Sequence, residues 1–105
     1  MLTIEVFQAR HSVLYHNAIE IRRWVRERLD AGCNYLLIDL QNVAFIDSSG
    51  LGILVSTFED VRRQGGVLAL ASLQSQVSMM IEVCELGDFF PTYADRQDFE
   101  RAIAI

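Results

Sequence analysis

Between the apolar stretches Val43 to Ile46 and Leu51 to Leu54 stands the polar run Asp47-Ser48-Ser49-Gly50, with a second glycine at Gly52. Two hydroxyls and a carboxylate lie side by side, flanked by residues without side chains. If a helix starts here, the Ser48 hydroxyl sits among backbone N–H groups that have no partner inside the helix, and the helix dipole adds partial positive charge. A phosphate on that oxygen would bring about −1.5 to −2 charges at pH 7, together with acceptor oxygens that the helix start can receive. A covalent charge switch on a hydroxyl of this run would therefore leave the fold intact. Asp47 could orient the hydroxyl or contact a cation, while Gly50 and Gly52 would leave room for another protein's backbone or for a nucleotide's phosphates. The same four residues are also ordinary capping and turn residues, and on their own they could simply begin a helix.

Other chemistries fit less well. A serine on a strand-to-helix turn is the setting of the hydrolase nucleophile elbow, but that motif is Gly-x-Ser-x-Gly, and Ile46 and Asp47 occupy positions that need small residues. The two histidines, His11 and His16, precede the serine, whereas in elbow enzymes the histidine comes last. A phosphate-cradling loop of the Walker type also fails, because no Gly-Lys-Ser follows and the chain has no lysine. Cys33 and Cys84 form no Cys-x-x-Cys pair, so the expectation is two buried, reduced thiols and neither a metal nor a redox site. No catalytic residue and no cofactor is expected.

The elements that must position the motif are readable from apolar periodicity. Thr3 to Phe7 alternates and reads as an edge strand. Ala18, Ile21, Val25 and Leu29 recur at helical spacing up to Gly32, with Arg22, Arg23, Arg26 and Arg28 interleaved with Glu20 and Glu27 as a solvated face. Tyr35 to Leu40 is nearly all apolar and reads as a central strand covered on both sides. Val43 to Ile46 leads into the motif, and Leu51, Leu54, Val55, Phe58 and Val61 mark a second helix closed by Gly65-Gly66. Val67 to Ala71 is the next strand. A third helix turns Val77, Met80, Ile81 and Cys84 inward, with Ser72 or Ser75 as its cap. Phe89, Phe90 and Tyr93 read as a last short strand, and Asp95 with Asp98 opens a terminal helix carrying Phe99, Ala102 and Ile103. The order β-α-β-α-β-α-β-α predicts an α/β fold with a mostly parallel sheet of four to five strands and about four helices.

The 105 residues and their 51% hydrophobic content suit one domain over 1–105 with a single continuous core. A formal charge of −5 repels a phosphate backbone, which argues against nucleic acid as a partner. All nine basic residues are arginine, a bias that is as readily compositional as functional. No apolar run reaches the roughly 18 to 20 residues that cross a bilayer, and no leader pattern opens the sequence, so a cytoplasmic protein without membrane insertion is expected.

Tyr35 to Phe90 resembles the STAS domains of bacterial anti-sigma factor antagonists. The resemblance is carried by Tyr-Leu-Leu-Ile-Asp-Leu at 35–40, Phe-Ile-Asp-Ser-Ser-Gly-Leu-Gly at 45–52, Gly-Gly-Val-Leu-Ala-Leu-Ala at 65–71 and Glu-Leu-Gly-Asp-Phe-Phe at 85–90. It implies a STAS-like fold and a binding module rather than an enzyme. It further implies that Ser48, the first serine after the aspartate, is phosphorylated by a partner serine kinase that is also the anti-sigma factor, and that a phosphatase restores the binding form. By the same resemblance Asp47, Ser49, Gly50 and Leu51 lie at or beside the partner surface. The N-terminal third departs from the family pattern: one strand is evident where two are usual, followed by Gln8-Ala9-Arg10-His11-Ser12-Val13-Leu14-Tyr15. Val13 to Ala18 is somewhat more similar to STAS domains attached to anion transporters, which keeps open a second role as an unmodified scaffold or regulatory subunit. His16 and Asn17 read as a helix start. A missing strand would also expose a sheet edge that a second copy could cover, giving a homodimer.

Overall fold

The computed structural model describes residues 3–103. Along the chain run β1 (Ile4–Gln8), α1 (Tyr15–Asp30), β2 (Tyr35–Asp39), α2 (Ser48–Arg63), β3 (Val67–Ala71), α3 (Ser75–Val83), β4 (Thr92–Tyr93) and α4 (Arg96–Ile103). The strands form one parallel sheet in the order β1-β2-β3-β4. Every crossover steps the same way along the sheet, so right-handed connections stack α1, α2 and α3 on one face. α4 follows the last strand and returns over β2, β3 and β4 on the other face.

Strand alternation divides the core in two. Leu36, Ile38, Leu68 and Leu70 meet the three-helix layer through Ile21, Val25, Leu54, Phe58 and Val77, while Leu37, Ala69 and Ala71 point the other way, onto Phe99 of α4. The two alanines leave the depth that the Phe99 ring fills, and Tyr93 closes its edge at a ring-centroid distance of 5.3 Å. The elements that carry the motif are thus fixed by periodicity, with β2 buried on both faces as its apolar run requires.

Four details depart from the sequence reading. Phe89 and Phe90 lie in the turns before β4, which is limited to Thr92–Tyr93. They are packed by one another and by Phe58, at centroid distances of 4.9 and 4.7 Å, instead of by strand pairing. Cys33 is buried but Cys84, at the C-terminal cap of α3, is exposed. The N-cap of α3 is Gln74, with no side-chain cap; Ser72 has a φ of +60° and its hydroxyl donates to the Ala94 carbonyl at 3.3 Å. Finally, Arg28 and Arg26 reach across to other elements, to Glu5 of β1 and Asp60 of α2, each at 3.8 Å.

Candidate functional site

The site begins at the end of β2. There the Asp39 carboxylate accepts from the Gln41 N–H at 2.9 Å, turning the chain off the sheet, and the buried Leu40, Val43 and Ile46 hold the connection down. Ile46 pairs with Val13 in a single parallel bridge; Val13 donates its N–H to the Phe45 carbonyl at 2.9 Å and accepts from the Asp47 N–H at 3.3 Å. The segment from Ala9 to Leu14, which stands where the family pattern leads one to expect a strand, therefore lays Val13 beneath the start of α2.

Asp47 is the N-cap of α2, in extended conformation. One carboxylate oxygen, Oδ1, accepts from the Gly50 N–H at 2.7 Å and from the Ser49 hydroxyl at 2.8 Å. Those two donors, the Gly50 N–H first, hold the Asp47 carboxyl below the usual carboxylate range, so it is an anion at neutral pH. The Asp47 carbonyl then accepts from the Leu51 N–H at 2.9 Å, the first bond of the helix.

The two serines differ sharply. Ser49 has its hydroxyl committed to Asp47. Ser48, the first residue of α2, is exposed, and among the described residues its hydroxyl has no hydrogen-bond partner. Among the described residues no histidine is bonded to it, and the carboxylate beside it spends Oδ1 on the Gly50 N–H and the Ser49 hydroxyl and makes no bond to the Ser48 hydroxyl. The oxygen is accessible for modification but lacks the bonded general base that a catalytic nucleophile uses.

The glycines differ as well. A Cβ on Gly50 would stand 2.2 Å from the Val13 carbonyl oxygen and 2.9 Å from its carbon. Gly50 is therefore required by the close approach of two pieces of this chain's own backbone, which corrects the expectation that it leaves space for a visitor. Gly52 is exposed and a Cβ there would meet nothing within 4 Å. Leu51, expected beside the partner surface, is 2% exposed and points into the core. Asp47, Ser48 and Ser49 are thus the expected site residues with accessible groups, while Gly50 and Leu51 hold the helix start in place. Sequence reasoning passed over two residues. Val13 looked like one apolar residue in an aperiodic stretch, and Phe45, 42% exposed and two residues before Asp47, looked like part of the apolar lead into the motif.

Comparison with known proteins covers nearly the whole chain. A family model described as the STAS domain matches residues 3–99. An anti-sigma F factor antagonist of Paenibacillus polymyxa is 25% identical over 80 residues, covering 75% of this chain and 68% of that protein. An anti-sigma-B factor antagonist of Bacillus subtilis is 40% identical over 53 residues, about half of each protein at 50% and 49%. Among solved structures, the anti-sigma factor antagonist SpoIIAA in its unphosphorylated form superposes with a TM-score of 0.79 at 18% identity, covering 100% of this chain and 94% of that one. The Bacillus SpoIIAA in its phosphorylated form gives 0.70 at 17% identity, over 97% of this chain and 95% of that one. At those identities the structures speak to fold.

Proposed function

The chain belongs to the STAS domain family, and from that premise we propose that it is an anti-sigma factor antagonist: a cytoplasmic binding module that docks an anti-sigma factor with serine kinase activity while Ser48 is unmodified. Phosphorylation of Ser48 by that kinase releases it, and a phosphatase resets it. The observation that carries this reading is the contrast between the two hydroxyls, with Ser48 free and exposed at the tip of α2 and Ser49 tied to Asp47. The curated relatives, which bear the antagonist name, support the partner class.

The mechanism is electrostatic and local. The accessible surface joins an apolar group, Phe45, to the small and polar residues Asp47, Ser48, Ser49 and Gly52, the mixture of anchor and rim that a protein interface uses. Unmodified, this surface carries one negative charge, at Asp47. A phosphate on Ser48 multiplies that charge, and unpaired N–H groups at the helix start keep the fold tolerant of it. A partner that offers no matching cation must then bury an uncompensated charge, which costs on the order of 2 to 5 kcal/mol of binding free energy. That lowers affinity at least about tenfold. No base is required of this chain; the kinase supplies the catalytic groups and ATP the phosphoryl group.

The test is capture from the native cell with Ser48→Ala and Ser48→Asp baits, followed by incubation of the captured ATP-dependent kinase with the wild-type chain and intact-mass measurement. The proposal expects a serine kinase on the alanine bait, depleted from the aspartate bait, that adds one phosphate to the wild-type chain. Equal recovery on both baits with no added phosphate would instead favour an unmodified scaffold.

A further inference from the structure

β1 is the outermost strand: β2 lies on one side of it, and among the described residues nothing pairs with the other. The register fixes which of its groups face the open side. Gln8 stands opposite Asp39, whose carbonyl accepts from the Ala9 N–H at 3.1 Å. Peptide groups alternate in direction along a strand, so Glu5, Phe7 and Ala9 address β2 while Ile4, Val6 and Gln8 turn both N–H and C=O outward. The side chains of Ile4 and Val6 lie on the α4 face, packed against the cluster of Leu37 and Phe99, but α4 sits over β2 to β4 and leaves both half-exposed beside the free edge.

Natural edge strands are blunted by lysine, proline, bulges or inward charges. The strand Ile4-Glu5-Val6-Phe7-Gln8 has no lysine or proline and an unbroken register, and its one charge, Glu5, lies on the opposite face where it pairs with Arg28 at 3.8 Å. We infer that this edge is a self-association surface on which a second copy of the chain docks, β1 against β1, antiparallel about a two-fold axis at Val6. That axis sets Val6 opposite Val6 and Ile4 opposite Gln8, and each of these pairs is of the hydrogen-bonded kind, giving about six backbone bonds. The apolar side chains of the pairs meet on the α4 face, while Glu5 falls opposite Phe7 on the other, so no charge faces its like. Moving the axis by one residue, to Glu5 or Phe7, keeps outward groups facing one another but leaves about four backbone bonds, and at Glu5 it sets two carboxylates opposite each other. The outward set is therefore its own complement, which makes a second copy the occupant it fits and produces an isologous dimer with one sheet of doubled width.

Sedimentation equilibrium of the intact chain, from micromolar to submillimolar concentration, tests this independently of Ser48, which is no part of the edge. The wild type is expected to reach twice the chain mass. Val6→Pro removes an outward N–H without taking a bond from the β1–β2 ladder and should be a folded monomer by circular dichroism, its dimer dissociation constant raised at least tenfold. Val6→Lys places two ammonium groups opposite each other at the axis and should do the same, with partial recovery in high salt; it serves also if the proline variant fails to fold. A wild type that stays monomeric throughout, or a dimer that survives Val6→Lys, overturns the inference.

Discussion

Alanine at Gly50 drives a methyl group into the backbone of the segment before α1, and alanine at Gly52 drives one into open solvent. At Gly50 the new carbon would stand 2.2 Å from the Val13 carbonyl oxygen, well inside contact distance, and both neighbours are backbone. Relief requires α2 and the Val13 segment to part by about an ångström, an overpacking penalty of about 1–3 kcal/mol. The bond from the Asp47 N–H to the Val13 carbonyl, already 3.3 Å long, is lost in the process, at about 1 kcal/mol more. Better helix propensity returns roughly 1 kcal/mol. The net loss of about 1–3 kcal/mol corresponds to a melting temperature lower by about 5–20 °C for a domain of this size. Gly52→Ala has only the propensity gain, so it should melt about 4–8 °C higher than wild type. Thermal melts followed by circular dichroism measure both. A Gly50→Ala protein as stable as wild type would refute the claim that Val13 fixes the start of α2, and with it the account of how the serines are presented.

Asp47→Ala should lower the urea midpoint at neutral pH. Because the folded-state carboxyl is held below its ordinary value near 3.8, the stabilisation it provides is complete above about pH 5 and fades as pH falls through the folded-state value. The gap between wild type and variant should therefore narrow as the solution is acidified; a gap that stays constant from neutral pH into acid would contradict this assignment. Ser49→Ala removes one exposed hydroxyl bond and should change stability by less than about 1 kcal/mol, while the kinase still adds one phosphate; Ser48→Ala should accept none. Phe99→Ala empties the centre of the α4 face and should cost about 3–5 kcal/mol in chemical denaturation; a loss below about 1 kcal/mol would show that α4 is not a structural layer.

Much of the fold was legible because apolar spacing alone sets it. Val67 to Ala71 reads as a strand from its uninterrupted run after Gly66, and the face of α1 made by Ala18, Ile21 and Val25 reads from its spacing; both stand as expected. The pair Phe89 and Phe90 was misleading because apolarity signals burial without saying whether a strand or a neighbouring ring provides it. The site was legible as a helix start with an acidic cap. Residue type and spacing alone did not distinguish one glycine from the other, and only the family resemblance set Ser48 apart from Ser49. Gly50 is needed because of Val13, 37 positions earlier, a contact that no local pattern encodes, whereas nothing in the fold needs Gly52. Likewise only geometry shows the Ser49 hydroxyl engaged and the Ser48 hydroxyl free.

Calorimetric titration of the captured kinase with the unmodified chain and with the same chain phosphorylated at Ser48 probes the switch with no substitution in the way. An affinity at least about tenfold weaker for the phosphorylated form, with an unchanged far-ultraviolet circular dichroism spectrum, is the predicted result. Equal affinities, or weaker binding that arises only because the phosphorylated chain has unfolded, would contradict it.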